Sequence, residues 1–165
     1  MNAKHWIKQL EMEAHPEGGY FKQSLKSDHI FSPATHPDER SLYTSIYFLL
    51  QSEDVSHFHQ LLSDEVWYFH AGSSLTIHII DESGNYRQEK LGLNIQNGEK
   101  PQVCVKKGSI FGSTVDEKEA YSLVGCMVSP GFEFADFKLF SQNDLLADFP
   151  QHEEVISRLA YKKLT

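Results

Sequence analysis

The sequence has 165 residues, 40% hydrophobic and 12% aromatic, enough for one domain with a sizeable core. Its formal net charge is −8 with the charges scattered, which argues against nucleic-acid binding, because that needs Lys and Arg gathered on one face. No stretch approaches the roughly 18 apolar residues of a membrane span, and Met1–Leu10 shows no apolar leader, so a soluble cytoplasmic protein is expected.

Ala3, Trp6, Ile7, Leu10 and Ala14 fall at helical spacing behind Asn2, a plausible N-cap, which predicts a helix over 2–14. His15-Pro16-Glu17-Gly18-Gly19 ends it, since Pro disfavours helix in the residue before it and glycines supply unusual backbone angles. From there to about Leu139 the punctuation is that of β-structure. Strands are expected at 20–26, 41–50, 57–60, 65–70, 75–80, 86–91, 102–106, 122–128 and 132–139, separated by turn-rich stretches such as Asp81–Asn85 and Asn97–Pro101. Leu75, Ile77 and Ile79 alternate with Thr76 and His78, as on a strand with two different faces. Helical spacing returns over 143–160, with Pro150 at a helix start. Many short strands with regular turns indicate a sandwich or barrel, here with terminal helices. Cys104 and Cys126 sit in apolar runs and read as small core hydrophobes.

The stretch Ser56–Gly72 carries the chemistry. On a strand His57 and His59 would share a face, and Glu65 on the next strand could meet them. Two imidazoles and a carboxylate form the facial triad that non-haem iron and related divalent metals accept; alternatively only His59 points at the site. His57, His59, Glu65 and Gly72 resemble the first cupin motif, with one residue more than usual between His59 and Glu65. That departure, with the segments His15–Phe21, Thr44–Leu50, Phe58–Trp67, Gly108–Gly112 and Leu123–Phe134, is similar to the fifth cupin family, a group of unassigned function.

The resemblance implies an all-β double-stranded β-helix, a cupin or jelly-roll barrel like that of the RmlC-type epimerases. Its core would cover about 20–140 of one 1–165 domain, with short terminal helices over 2–14 and 143–160, a pocket inside one end, and pairing as a homodimer. An exposed strand edge near the N-terminus would be a natural pairing surface. In the family pattern His59 and Glu65 match and His57 is variable. The region equivalent to the second cupin motif, Gly108–Ser113, contains no histidine, so the full metal set of a typical cupin is absent. The family usually has His at Tyr68 and Trp at Ile110, departures that would matter if either lines the pocket.

The expected ligand is a small molecule. In a metal-independent epimerase or isomerase acting on a sugar or sugar-nucleotide, His59 would be the base, Glu65 would orient it, and Tyr20 or Tyr47 would be the acid. No cofactor is then needed. The alternatives are a divalent-metal enzyme using His57, His59 and Glu65, and a binding module without chemistry. Glu17 and Tyr20 could cap the pocket, or the glycines beside them merely make a turn. Trp67 and Phe69, on the face of Glu65, could form an aromatic wall or plain core. Glu133 and Asp136 would fall on opposite faces of a strand, one entering the barrel, and Arg40 could clamp an anion or lie on the surface.

Overall fold

The Asn2 side chain accepts the His5 N–H at 3.0 Å and caps the first helix, supplying an acceptor for one of the N–H groups that a helix start leaves unpaired. The structure, a computed structural model, describes residues 2–164; Met1 and Thr165, the ends of the expected domain, lie outside the described residues. The helix α1 (Ala3–Gln9) is shorter than expected. Glu11 turns the chain with φ 52° into a short strand β1 (Glu13–Ala14).

The strands that follow are β2 (Tyr20–Lys26), β3 (Ile30–Phe31), β4 (Arg40–Ser41), β5 (Thr44–Gln51), β6 (Ser56–Gln60), β7 (Asp64–Gly72), β8 (Leu75–Ile80), β9 (Tyr86–Leu91), β10 (Gln102–Val105), β11 (Ile110–Val115), β12 (Tyr121–Ser129) and β13 (Lys138–Leu139). One sheet runs β1-β2-β5-β12-β7-β10 and a second runs β13-β6-β11-β8-β9, while β3 and β4 form a ribbon. Their pairings are antiparallel. The two larger sheets face each other, forming the double-stranded β-helix that the sequence resemblance implies.

Alternation decides what lies between them. Phe48, Trp67, Ile77, Phe111 and Val124 are buried in the main core, while their strand neighbours point outward. Two outer faces are covered by helices. Leu49 and Leu123 of the six-stranded sheet pack with Ala3 and Met12, beside Trp6 and Tyr20. On the five-stranded sheet, Phe58, Ile80 and Ile110 pack against Leu145 of α2 (Gln142–Asp148) and Ile156 and Leu159 of α3 (Glu153–Leu159). Ser141 starts α2 with a reciprocal cap to Asp144, the device that pairs both orphan N–H groups.

Two stretches differ from expectation. β11 was not among the expected strands: its six residues are all buried, and Gly112 in its middle reads as a breaker. The strand expected over 132–139 is instead a helical turn, Phe134–Asp136, followed by the two residues of β13.

Candidate functional site

A cavity of ≈160 Å³ opens between the sheets, lined from the turn before β2 by His15 and Glu17, and from β6, β7 and β12 by His59, Glu65 and Cys126. Glu17 gets there because of the two glycines that follow it. Gly18 (φ 111°) and Gly19 (φ 71°) occupy the left-handed region, which side chains rarely adopt. A Cβ on Gly18 would collide with the Val55 carbonyl. The turn therefore lies flat against the start of β6, where the His57 N–H donates to the Glu17 carbonyl at 2.7 Å. That docking sends the Glu17 carboxyl inward, leaving it 7% exposed.

Inside, Glu17 Oε1 accepts the Ser56 hydroxyl at 2.8 Å, and Oε2 lies 3.1 Å from His59 Nε2. His59 is only 2% exposed, and burial pushes its pKa down to about 4, so the ring is neutral at pH 7. Its Nδ1 donates to the His57 carbonyl at 2.7 Å. A neutral imidazole that donates from Nδ1 can only accept at Nε2. The proton of the Glu17–His59 contact therefore sits on Glu17, whose pKa burial raises against the opposing pull of His15 and Ser56. His15 accepts the Glu17 N–H at Nδ1, and burial lowers its pKa.

Glu65 is a second carboxyl in the same cavity, 7% exposed. Burial and then coupling to the neighbouring Glu17 carboxyl push it up to about 8, against the pull of Trp67 and Cys126. Its Oε2 meets no hydrogen-bond partner. The Cys126 thiol is driven well above its ordinary value by burial and both carboxyls, so it is a protonated wall rather than a nucleophile.

His57 does not reach the cavity. In the β6–β11 ladder, His59 faces Phe111 and Ser56 faces Ser113, so β6 spends three steps where β11 spends two. This is a β-bulge, and it breaks the two-residue alternation. Ser56 and His59 turn inward, while the His57 ring stacks on Tyr161 at 3.6 Å and 9° with Nδ1 against the Glu17 carbonyl. Gly112 permits this, because a Cβ there would collide with the Ser56 carbonyl. The His57/His59/Glu65 triad thus does not fit a shared metal. Among the described residues no group of three or more His, Cys, Asp or Glu is arranged to hold one.

The other expected residues divide. Tyr20 and Tyr47 pack in the cluster under α1, outside the barrel, because each precedes an inward phenylalanine, Phe21 or Phe48; neither can be the acid. Trp67 is core, in edge contact with Phe48 and Phe111, and Phe69 packs against that core half-buried. Glu133 lines the cavity and pairs with Lys26 at 3.3 Å. Asp136 is buried rather than exposed, held by Arg40 in a bidentate pair at 2.6 and 2.7 Å. Arg40 therefore clamps the protein's own carboxylate. Ile110 packs under the C-terminal helices, and Tyr68 alternates with inward Trp67 on β7, so neither departure from the family pattern lines the cavity.

Sequence reasoning missed His15, Ser56, Lys26 and the Phe21, Phe132, Phe134 and Phe137 rings. His15 stands two residues before Glu17 in the family-like segment His15–Phe21, which was the available signal; Phe21, Phe132 and Phe134 also lie in family-like segments, but nothing local says that they and Phe137 meet in one wall.

Comparison with solved structures supports the architecture. A Shewanella oneidensis protein, SO0799, is 51% identical, with a TM-score of 0.92 over 99% of both chains. A hypothetical protein from Leishmania major is 41% identical, with a TM-score of 0.94 over 98% of this chain and 100% of that one. Oxalate decarboxylase from Bacillus subtilis is 16% identical, with a TM-score of 0.56 over 91% of this chain and 37% of its own, a likeness of fold alone. The uncharacterized protein YML079W of Saccharomyces cerevisiae is 26% identical over 153 residues, 85% of this chain and 76% of that protein. The model of the family described as Cupin superfamily (DUF985) matches residues 4–140, and the chain belongs to that family.

Proposed function

We propose that the protein binds a small, sugar-sized carbonyl compound and moves a proton next to its carbonyl, as a metal-independent isomerase or epimerase. The observation that supports this best is the meeting of the Glu17–His59 contact with the Glu65 carboxyl, whose Oε2 has no hydrogen-bond partner among the described residues, in one cavity. Groups whose environments push their pKa values apart mark acid–base assignments. The cavity of ≈160 Å³ corresponds to about five waters at roughly 30 Å³ each, which suits one sugar ring and leaves any nucleotide outside near Lys26.

The roles differ from those expected of the sequence. Glu17, not Glu65, contacts His59. In this reading the Glu65 carboxylate takes the proton from the carbon beside the carbonyl. The Glu17–His59 pair gives its proton to the carbonyl oxygen, and an enediol forms. For isomerisation, Glu65 returns its proton to the neighbouring carbon while the Glu17–His59 pair takes back the proton of the other enediol hydroxyl. For epimerisation, water protonates the opposite face, Glu65 releases its proton to solvent and the Glu17–His59 pair takes back its own. A base with a pKa near 8 lies close to the working range for general base catalysis.

The experiment is proton NMR in D₂O with a panel of aldoses, ketoses and keto-sugar nucleotides. Loss of the signal of the hydrogen beside the carbonyl, faster than without protein, is expected. Absence of exchange across the panel, from protein that binds one of its members, would leave a binding module instead.

A further inference from the structure

Among the described residues, the buried part of the cavity lining holds two carboxyls and no lysine or arginine. Glu17 and Glu65 lie there buried, and the two imidazoles beside them, His15 and His59, are held neutral by burial. The one lysine on the wall, Lys26, stands half-exposed and already pairs with Glu133. Two carboxyls sharing a dry space cannot both ionise unless something positive joins them. One acceptor in that space, Glu65 Oε2, is buried and without a partner, a condition that folded proteins rarely leave uncompensated. Around the carboxyls stands an aromatic wall. Phe132, Phe134 and Phe137 contact one another in edge-on geometry at 5.1 to 6.1 Å, and Phe21 meets His15 at 4.8 Å. The face of such a ring attracts a cation once it is desolvated.

We infer that the ligand carries a protonated nitrogen, in the class of amino sugars and amino ketones, whose N–H groups bond to Glu65 against the phenylalanine wall. The amino-sugar scaffold rests on the proton-transfer reading above; the positive charge rests on the cavity alone. On binding, the ammonium takes the place of the proton that Glu65 otherwise holds, and that proton leaves to solvent. The titratable groups that share the cavity with Glu65 are Glu17, His15, His59, Cys126, Lys26 and Glu133, and Lys26, the cation among them, is engaged by Glu133. The exchange also leaves Glu65 as a carboxylate at the moment substrate arrives, which is the form needed to take a proton from carbon.

The test is calorimetric titration of the whole protein at pH 7 with glucosamine against glucose and mannosamine against mannose. At least one amino sugar is expected to bind about tenfold or more tightly than its neutral partner. Its apparent enthalpy should change with the ionisation enthalpy of the buffer, as release of a proton requires. Glu65→Gln, checked for folding by thermal melting, should abolish the preference. Equal or tighter binding of the neutral sugars, no binding of either class, or buffer-independent enthalpy in the parent would overturn the inference. Preference without exchange of the carbon-bound hydrogen would sink the proton-transfer reading and leave the cation site standing. Exchange on neutral sugars without any preference would do the reverse.

Discussion

Glu17 Oε2 and His59 Nε2 stand 3.1 Å apart, and burial, which lowers the His59 pKa to about 4 and raises that of Glu17, favours the shared proton on the Glu17 side, the ring donating instead from Nδ1 to the His57 carbonyl. The pair joins a glycine turn to β6 of the five-stranded sheet, so one contact serves both the docking of the turn and the chemistry of the cavity. A group that holds a transferable proton beside a neutral imidazole can give it up and receive it back without leaving a bare buried charge for long.

Glu17→Gln separates these two duties. An amide keeps a donor toward His59 Nε2 and an acceptor toward the Ser56 hydroxyl, so the hydrogen bonds survive while the acidic proton is lost. Hydrogen exchange on a responsive substrate should fall by about 10²-fold or more, and thermal melting should shift by about 1 kcal/mol or less. Exchange at the parental rate in a folded Glu17→Gln protein would remove Glu17 from the mechanism.

Glu65 makes stability depend on pH in a stated direction. Its pKa is about 8 in the folded protein against 4.5 as the ordinary value. The unfolded chain therefore loses the proton first as pH rises. Stability from this group is complete below the ordinary value and is lost as pH climbs through about 8. Glu65→Gln, neutral at every pH, should match the parent near pH 4 and exceed it near pH 9 by about 2–5 kcal/mol, at roughly 1.4 kcal/mol for each tenfold difference in proton affinity between the folded and unfolded chain. Denaturant titrations at the two pH values measure this; parallel curves would show that Glu65 is not buried as a neutral acid.

Gly112 is the residue on which the bulge in β6 depends. Gly112→Ala places a methyl into the Ser56 carbonyl, and overpacking of this kind costs about 1–3 kcal/mol. Because relief requires β6 to move, the loss should fall on the site as well. Ser56 would withdraw from Glu17, and ligand affinity should drop along with the melting temperature. A stable Gly112→Ala protein that binds ligand normally would mean that the bulge does not set the site.

The same bulge shows why the sequence revealed the barrel more fully than the site. The alternating strand Leu75–Ile80 and the turn-bounded strand Tyr86–Leu91 match their observed bounds, and Asn2 caps its helix as its side chain suggests. His59 and Glu65 were legible from spacing within known blocks, and Glu17 from the paired glycines beside it. His57 was not, because counting by twos assumes a regular strand, and the extra residue is visible only in the pairing with β11. Tyr47 fell on the wrong side for a related reason. Within Ile46-Tyr47-Phe48 nothing local says which parity faces the core; that is decided by Phe21, Leu61 and Phe137 arriving from elsewhere. The burial of Asp136 depends on Arg40, far away in the chain.

That pair sets the last prediction. Arg40 and Asp136 are both buried and joined by two short bonds of 2.6 and 2.7 Å, with the Arg40 guanidinium also donating to the Glu39 carbonyl. Asp136 ends the turn that carries Phe134 and is followed by Phe137, both on the cavity wall. The ion pair therefore holds the aromatic wall in place from behind. Arg40→Met leaves the buried Asp136 carboxylate with only the His36 ring, 3.8 Å away, beside it and should cost about 3–5 kcal/mol. The double change Arg40→Met with Asp136→Leu removes both charges, and it should recover most of that stability, since a well-packed apolar pair often equals a buried ion pair. Recovery of stability need not bring recovery of function, because the bidentate geometry also fixes the angle of the turn. The double variant should therefore melt near the parent yet bind ligand more weakly. Equal losses in the single and double variants would show that the pair contributes net stability beyond satisfying its own charges. Full affinity in the double variant would show that the phenylalanine wall holds its shape without it.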